Sequence, residues 1–453
     1  MPELLDAFLD WLGAYRSTLT EPSLRNLVVI VAGWIQTTGR HAITQTLVVT
    51  DVARRRHHEA FHRFFSRGTW HPDHLARWLF ERLRSALHVD EHGLRVVLDD
   101  TLAAKKGQHV FGIGSHLDAV RSTRRFRVFC FGHCWVVLAV LVRVPFSRRP
   151  WALPLLFRLY RNKKECSAKR HAYRKKTELA REMLDVFHRW VGDARVEVAA
   201  DAAYCNDTVT RGLPGSFVLF GAMRPDAVLT ALPDERMAAK TGRRRRRGGV
   251  LPKPAAVAGD TRKPWRTCEA DLYGHKRKVH YKEFCAQWYR ACGVGLLRIV
   301  IVKVSTGALG CRVFFCTDAT RSVREILEGY AGRWAVEVCF RDLKQDFGFA
   351  QSSARTRAAV ERVAPFVGLT YTLVVAWFTE HAYAHPLAAP PIRPWYRHKQ
   401  GCSFLDVLRT AQRVLAPLDV LDPRRSLANL RRRHRTAAAS SKPRRRSVKN
   451  CPA

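Results

Sequence analysis

The chain has 453 residues, enough for about two to four domains with a real core. Lys plus Arg number 78 against 39 Asp plus Glu, a formal charge of +39, and a surplus of that size points to a polyanionic partner, most often nucleic acid. The apolar runs 128–142 and 366–378 fall short of the ~20 residues that span a bilayer, and the start MPELLDAFLDWLGAYR has no signal-peptide pattern, so no membrane role is expected. The cysteines form no CxxC pair, which argues against a zinc finger and for reduced thiols in a cytoplasmic, nucleoid-associated protein.

Residues 1–90 read as helical, and we expect them to bind DNA. Leu4, Leu5, Phe8, Leu9 and Leu12 recur at helical spacing, as do Leu75, Trp78, Leu79 and Leu83 after Pro72. From 91 to about 225 the texture is mixed. LRVVLDD (94–100) predicts a strand. RFRVFCFG (125–132) and CWVVLAVLVRV (134–144) predict two more, joined by a turn at Gly132 and His133. A helix over roughly 168–191 and a strand beginning in ARVEVAADAAY (194–204) follow, then SFVLFGAM (216–223). Residues 226–318 read as a β-rich insertion. They contain a basic, Pro/Gly-rich loop with Arg243–Arg247, the strand-like runs VHYKEF, GLLRIVIVKV and CRVFFCTD, and an STGALG turn between the last two. A core helix lies within 319–350, further helices within 351–422 (355–380 and about 403–416), and a basic tail without apolar period at 423–453.

The order strand, strand, strand, helix, strand has a geometric consequence. Two reversals followed by a right-handed crossover make the first and fourth strands parallel and able to pair. Each ends in carboxylate, Asp99–Asp100 on one and Asp201 on the other, where ligands of open α/β sheets gather. Downstream, GYAGRWAVEVCFRDLKQDFG (329–348), wound at about 100° per residue, brings Tyr330, Arg333, Glu337 and Lys344 within roughly 60° of one another. Val336, Phe340, Leu343 and Phe347 form an apolar strip beside them, so the polar strip runs along the edge of a buried face. If that helix packs on the same sheet edge, Asp100, Asp201 and Glu337 converge. Three close carboxylates demand a cation, and hard oxygen donors suit Mg²⁺ or Mn²⁺. Two such ions about 3.5–4 Å apart serve phosphoryl transfer, while Arg333 and Lys344 can hold phosphate oxygens.

The spacing Tyr330-x2-Arg333-x3-Glu337-x6-Lys344 resembles the signature of bacterial DDE insertion-sequence transposases, in the branch that includes the IS-four group. DDT at 99–101 with KKG at 105–107, and VAADAAY at 198–204, resemble that branch's first and second acidic motifs, so the likeness covers about 94–350. It implies a ribonuclease-H-like mixed sheet flanked by helices, with the β-rich insertion ahead of the glutamate. It also implies magnesium-dependent hydrolysis at transposon ends, then attack of the freed 3′-OH on target DNA, by a synaptic homodimer on double-stranded DNA. In that likeness Asp100, Asp201 and Glu337 hold two Mg²⁺ or Mn²⁺ ions, and Tyr330, Arg333 and Lys344 contact DNA. The aspartate just before the threonine is the usual ligand, which favours Asp100, with Asp99 left open. The insertion of such proteins often carries a base-stacking tryptophan; Trp265 and Trp288 lie in the matching region, and both read more readily as core. A nuclease of the same core without strand transfer, and an inactive DNA-binding derivative, are the alternatives.

Overall fold

The computed structural model describes residues 2–421, apart from 108, 124, 169, 234–245, 305–309, 392 and 396–400. Most of the Arg243–Arg247 run, the STGALG turn and the basic tail therefore lie outside the described residues.

Five helices open the chain: α1 (Pro2–Gly13), α2 (Glu21–Gln36), α3 (Ile43–Val49), α4 (Glu59–Ser66) and α5 (Pro72–Leu87). Each turns its apolar spacing inward; α1 buries Leu4, Leu5, Phe8, Leu9, Trp11 and Leu12. Pro72 begins α5 at a position where a missing N–H costs nothing, and the His71 ring caps the Asp73 N–H at 3.2 Å.

The sheet follows. Among the described residues it has ten strands: β1 (Leu94–Ala104), β2 (Gly114–Leu117), β3 (Phe129–Val142), β4 (Trp151–Tyr160), β5 (Val196–Ala200), β6 (Phe217–Met223), β7 (Arg266–Leu272), β8 (His275–Gln287), β9 (Leu296–Lys303) and β10 (Cys311–Cys316). Their order is β2-β3-β1-β5-β6-β10-β9-β8-β7, with β4 also on β3. β1, β5 and β6 run parallel; β3 is antiparallel to β1, and β10 to β6. The first and fourth strands of the sequence reading, β1 and β5, thus lie side by side in parallel. The whole is a mixed α/β sheet flanked by helices, consistent with a ribonuclease-H-like fold.

Two local expectations give way. The turn expected at Gly132–His133 does not form, and β3 runs through it unbroken. Gly132 is needed for another reason: it lies opposite Ala104 in the ladder, where a Cβ would collide with the Ala103 carbonyl. The true second reversal leads into β4, which Pro154 disguises as a non-strand. Pro154 is tolerated because β4 is an edge strand and because the register against β3 shifts right there, between Leu138 and Ala139.

Short helices α6 (Lys163–Ala168), α8 (Asp207–Thr210), α9 (Pro254–Gly259) and α10 (Tyr289–Cys292) punctuate the sheet connections. The long α7 (Lys176–Val191) carries the crossover from β4 to β5. The core helix expected within 319–350 is two: α11 (Val323–Ala331) and α12 (Trp334–Gln345). They meet in a tightened joint where Arg333 N bonds Tyr330 O and Ala335 N bonds Gly332 O, so the strip of side chains continues across it. Then come α13 (Arg357–Trp377) and α14 (Phe404–Leu415). One apolar cluster reaches from Leu4 to Leu415. α13 with its continuation to Ala382 is the one described helix long and apolar enough to cross a membrane, and 83% of its apolar 18-residue window is buried inside the protein. The eleven described cysteines form no disulfide.

Candidate active site

β1 turns polar abruptly after Leu98. Successive strand residues face opposite sides, so Asp99 and Asp100 leave the sheet in opposite directions. Asp99 faces α12. Its Oδ2 accepts from an Arg333 guanidinium nitrogen at 2.6 Å, while its Oδ1 accepts the Asp100 N–H at 2.8 Å. The same guanidinium donates to Glu337 Oε1 at 2.7 Å, one helical turn on. Arg333 therefore bridges two carboxylates that are remote in the chain. β1 and β5 pair Leu98 with Ala200, so the next residues in register are Asp99 and Asp201, on the same side. Asp201 Oδ1 accepts the Ala202 N–H at 2.7 Å and begins a tight turn over Ala202–Tyr204.

The electrostatics agree with this grouping. Burial pushes the Asp99 carboxyl up to about 6, and the charges of Asp100 and Asp201 push the same way, while Arg333 pulls it down. Tyr330 lies in the same neighbourhood. Its ring packs on Phe314 at 4.7 Å and faces the Arg333 guanidinium at 5.7 Å. Burial raises its hydroxyl above the usual range, with Asp201 contributing. Lys344 stands at the other end of the strip. Burial lowers its ammonium, opposed by Asp118 first and by Cys130, Cys134 and Asp100 beyond it.

Asp100 has different company. On the α7 side it accepts from Lys176 Nζ at 2.6 Å and from the Tyr204 hydroxyl at 2.7 Å, with Cys134 Sγ at 3.5 Å. Burial and Asp100 together hold the Tyr204 phenol protonated far beyond its ordinary range. The structure thus joins Asp99 and Glu337 through Arg333, sets Asp201 within electrostatic reach of Asp99 and Tyr330, and turns Asp100 toward Lys176. Neither Lys176 nor Tyr204 stood out in the sequence reading, although Tyr204 closes the VAADAAY motif. Lys105 of the KKG motif, pushed down to about 8 by burial and by Arg40, donates to the Ser352 carbonyl and fastens the exit of β1 to the segment after α12. Trp265 and Trp288 both pack on the core: Lys282 Nζ lies 4.8 Å from the Trp265 ring, and Trp288 meets Phe315 edge-on at 5.5 Å.

Among the described residues no three His, Cys, Asp or Glu side chains form a ready metal cage. The donor chemistry nevertheless suits a divalent cation. Asp99, Asp201 and Glu337 offer hard oxygens, and the position between Asp99 and Glu337 already holds a cation, the Arg333 guanidinium.

A comparison with protein families matches residues 15–284 to the DDE superfamily endonucleases, well over half of the chain. The chain belongs to that family. The match includes the segments that carry Asp99, Asp100 and Asp201, and Tyr330, Arg333, Glu337 and Lys344 lie beyond it. Membership in this endonuclease superfamily implies a DNA substrate and a transposase or nuclease chemistry, of a kind that typically uses divalent metals. A search of the curated proteins found no match.

Proposed function

We propose that the protein is a DNA transposase, acting as a homodimer, that cuts transposon ends and joins them to target DNA, with Asp99, Asp201 and Glu337 as the acidic triad. The observation that carries this reading is the Arg333 bridge: one guanidinium spans Asp99 and Glu337, beside an Asp201 that the β1–β5 register sets next to Asp99. Asp99, the alternative left open, takes the role that the family resemblance favoured for Asp100, because Asp100 is engaged by Lys176 and Tyr204. Mg²⁺ or Mn²⁺ ions held by the triad would supply the Lewis acidity that phosphoryl transfer needs. Arg333 is suited to a second duty. Its planar fork can exchange a carboxylate for two phosphate oxygens, binding the strand beside the triad. Lys344 supplies a point charge farther along the same strip, and Tyr330 backs Arg333 through its ring.

The test uses purified protein, magnesium, labelled duplexes carrying the element's ends and a plasmid target. Asp99→Asn and Glu337→Gln should each cut cleavage by about a thousandfold or more, and Glu337→Gln should leave DNA affinity intact. Wild-type cleavage without any joined product would favour the nuclease without strand transfer. Full cleavage by both variants would end the enzymatic reading.

A further inference from the structure

Beyond the acidic triad, a cleft of about 930 Å³ opens between the β3–β4 loop, the tip of the β7–β8 hairpin and the start of α12. Its size is at the upper end of ligand pockets, about 300–1,000 Å³, too small for a duplex and right for a short piece of one strand. The floor is apolar, with Leu141 and Val338. The rim is cationic. Arg143, Arg148 and Arg149 come from the β3–β4 loop, all exposed, and among the described residues none has a carboxylate within ion-pair distance. Of the acids that line the cleft, Asp342 holds Arg341 and also feels the Arg149 charge, Glu328 holds Arg324, and Asp271 lies opposite Lys276 in the hairpin ladder.

The aromatic groups are placed as deliberately. Trp334, first residue of α12, lies between two partners: the Arg149 guanidinium over its ring at 4.8 Å and Tyr273 edge-on at 5.8 Å. Tyr273 and Gly274 form the two-residue turn of the β7–β8 hairpin, with φ of 61° and 82°. Such a turn favours Asn or Asp at its first position. A tyrosine there is strained, and strain of this kind clusters at ligand-binding and active sites. Gly274 in turn leaves room for the Arg149 stem, whose Cγ would sit 2.8 Å from any Cβ. Arg95, also on the cleft wall, precedes Asp99 by four residues of β1, or about 14 Å at ~3.4 Å per residue.

We propose that this cleft binds a single-stranded segment of nucleic acid, with phosphates on Arg143, Arg148 and Arg149 and a base against Trp334 and Tyr273. Unpaired arginines beside an aromatic platform are the pairing that single strands demand: charge for the backbone, a π-face for any base. The proposal rests on the DNA-substrate reading above and adds a strand-specific subsite to it.

The experiment is anisotropy of fluorescein-labelled DNA on the full chain, comparing a blunt duplex with the same duplex carrying a short single-stranded overhang, over a salt series. Wild type should favour the overhang by about tenfold. Arg148→Ala/Arg149→Ala should erase that preference and flatten the salt slope for the overhang by about 1–1.5, at about 0.7 per lost phosphate contact, leaving blunt-duplex affinity unchanged. An overhang carrying 5-iodouracil should photocross-link to Tyr273 or Trp334 in the unsubstituted protein. Cross-links confined to other residues, a preference that survives the double substitution, or equal displacement by a mononucleotide each overturn the proposal. If the variant retains its preference while wild type still cleaves DNA, the cleft fails alone. If wild type neither binds nor cleaves DNA, the underlying reading fails with it.

Discussion

Asp100 receives the Lys176 ammonium and the Tyr204 hydroxyl, and Tyr204 ends the turn that Asp201 begins. One half-buried carboxylate thus ties β1 and α7 to the backbone that aims the next acidic residue. Tyr204→Phe removes a hydrogen bond to a charged group, a loss of about 1.5–3 kcal/mol, to be read by denaturant unfolding. It should also slow cleavage at saturating DNA more than it weakens binding, since Asp201 loses its anchor while the DNA contacts stay. The sequence displays the adjacent pair Asp99–Asp100 and the alternation of a strand, so opposite faces were legible. Which face meets α12 was not, because that depends on how distant elements pack. Asp342 makes a separate point. Burial holds its carboxyl up at about 6 against the pull of Arg341. The folded state therefore binds this proton more tightly than the unfolded chain, whose aspartates titrate near 3.9. This group's contribution to stability is fullest below about pH 4 and is lost as pH rises through 6. Asp342→Asn should remove that slope, gaining on the order of 2 kcal/mol over wild type at pH 7 and nothing at pH 4, measured by thermal unfolding across the range.

At the scale of elements, glycine and proline did most to mislead and most to explain. Gly132 reads as a turn signal because glycine usually is one, and only the pairing of β3 with β1 reveals that close backbone approach is its purpose. Gly132→Ala should cost about 1–3 kcal/mol through overpacking and lower the melting temperature, with the loss concentrated in hydrogen-exchange protection of β1 and β3. Pro154 hid β4 by the same logic. The polar strip on 330–344 was legible because helical periodicity is local, and the tightened joint at Gly332–Arg333 preserves it. Its apolar companions Val336, Phe340, Leu343 and Phe347 are all buried. What periodicity could not supply is the pair of contacts that Arg333 makes, since one of its partners lies 234 residues away.

Across the whole molecule, the opening helices and the sheet share their interior. The Trp377 N–H of α13 donates to the Leu4 carbonyl at 3.0 Å, Phe8 stacks edge-on to Trp377 at 5.4 Å, and the Trp34 N–H donates to the Phe347 carbonyl at 3.0 Å. On the sheet side, Arg158 of β4 clamps Asp73 of α5 and Glu182 of α7. A chain lacking residues 1–90 should therefore expose the apolar flank of α13, bind a hydrophobic dye and aggregate during expression, as size-exclusion chromatography would register. The change of texture near residue 90 is visible in the sequence, whereas the partnership across it is not, because amphipathic helices advertise an apolar face without naming what covers it. That partnership restricts how such a protein can diversify. Its front end is no cassette to be traded for another; a transplanted set of helices would arrive without a matching α13. New specificity has to come residue by residue, on surfaces that face away from the common interior.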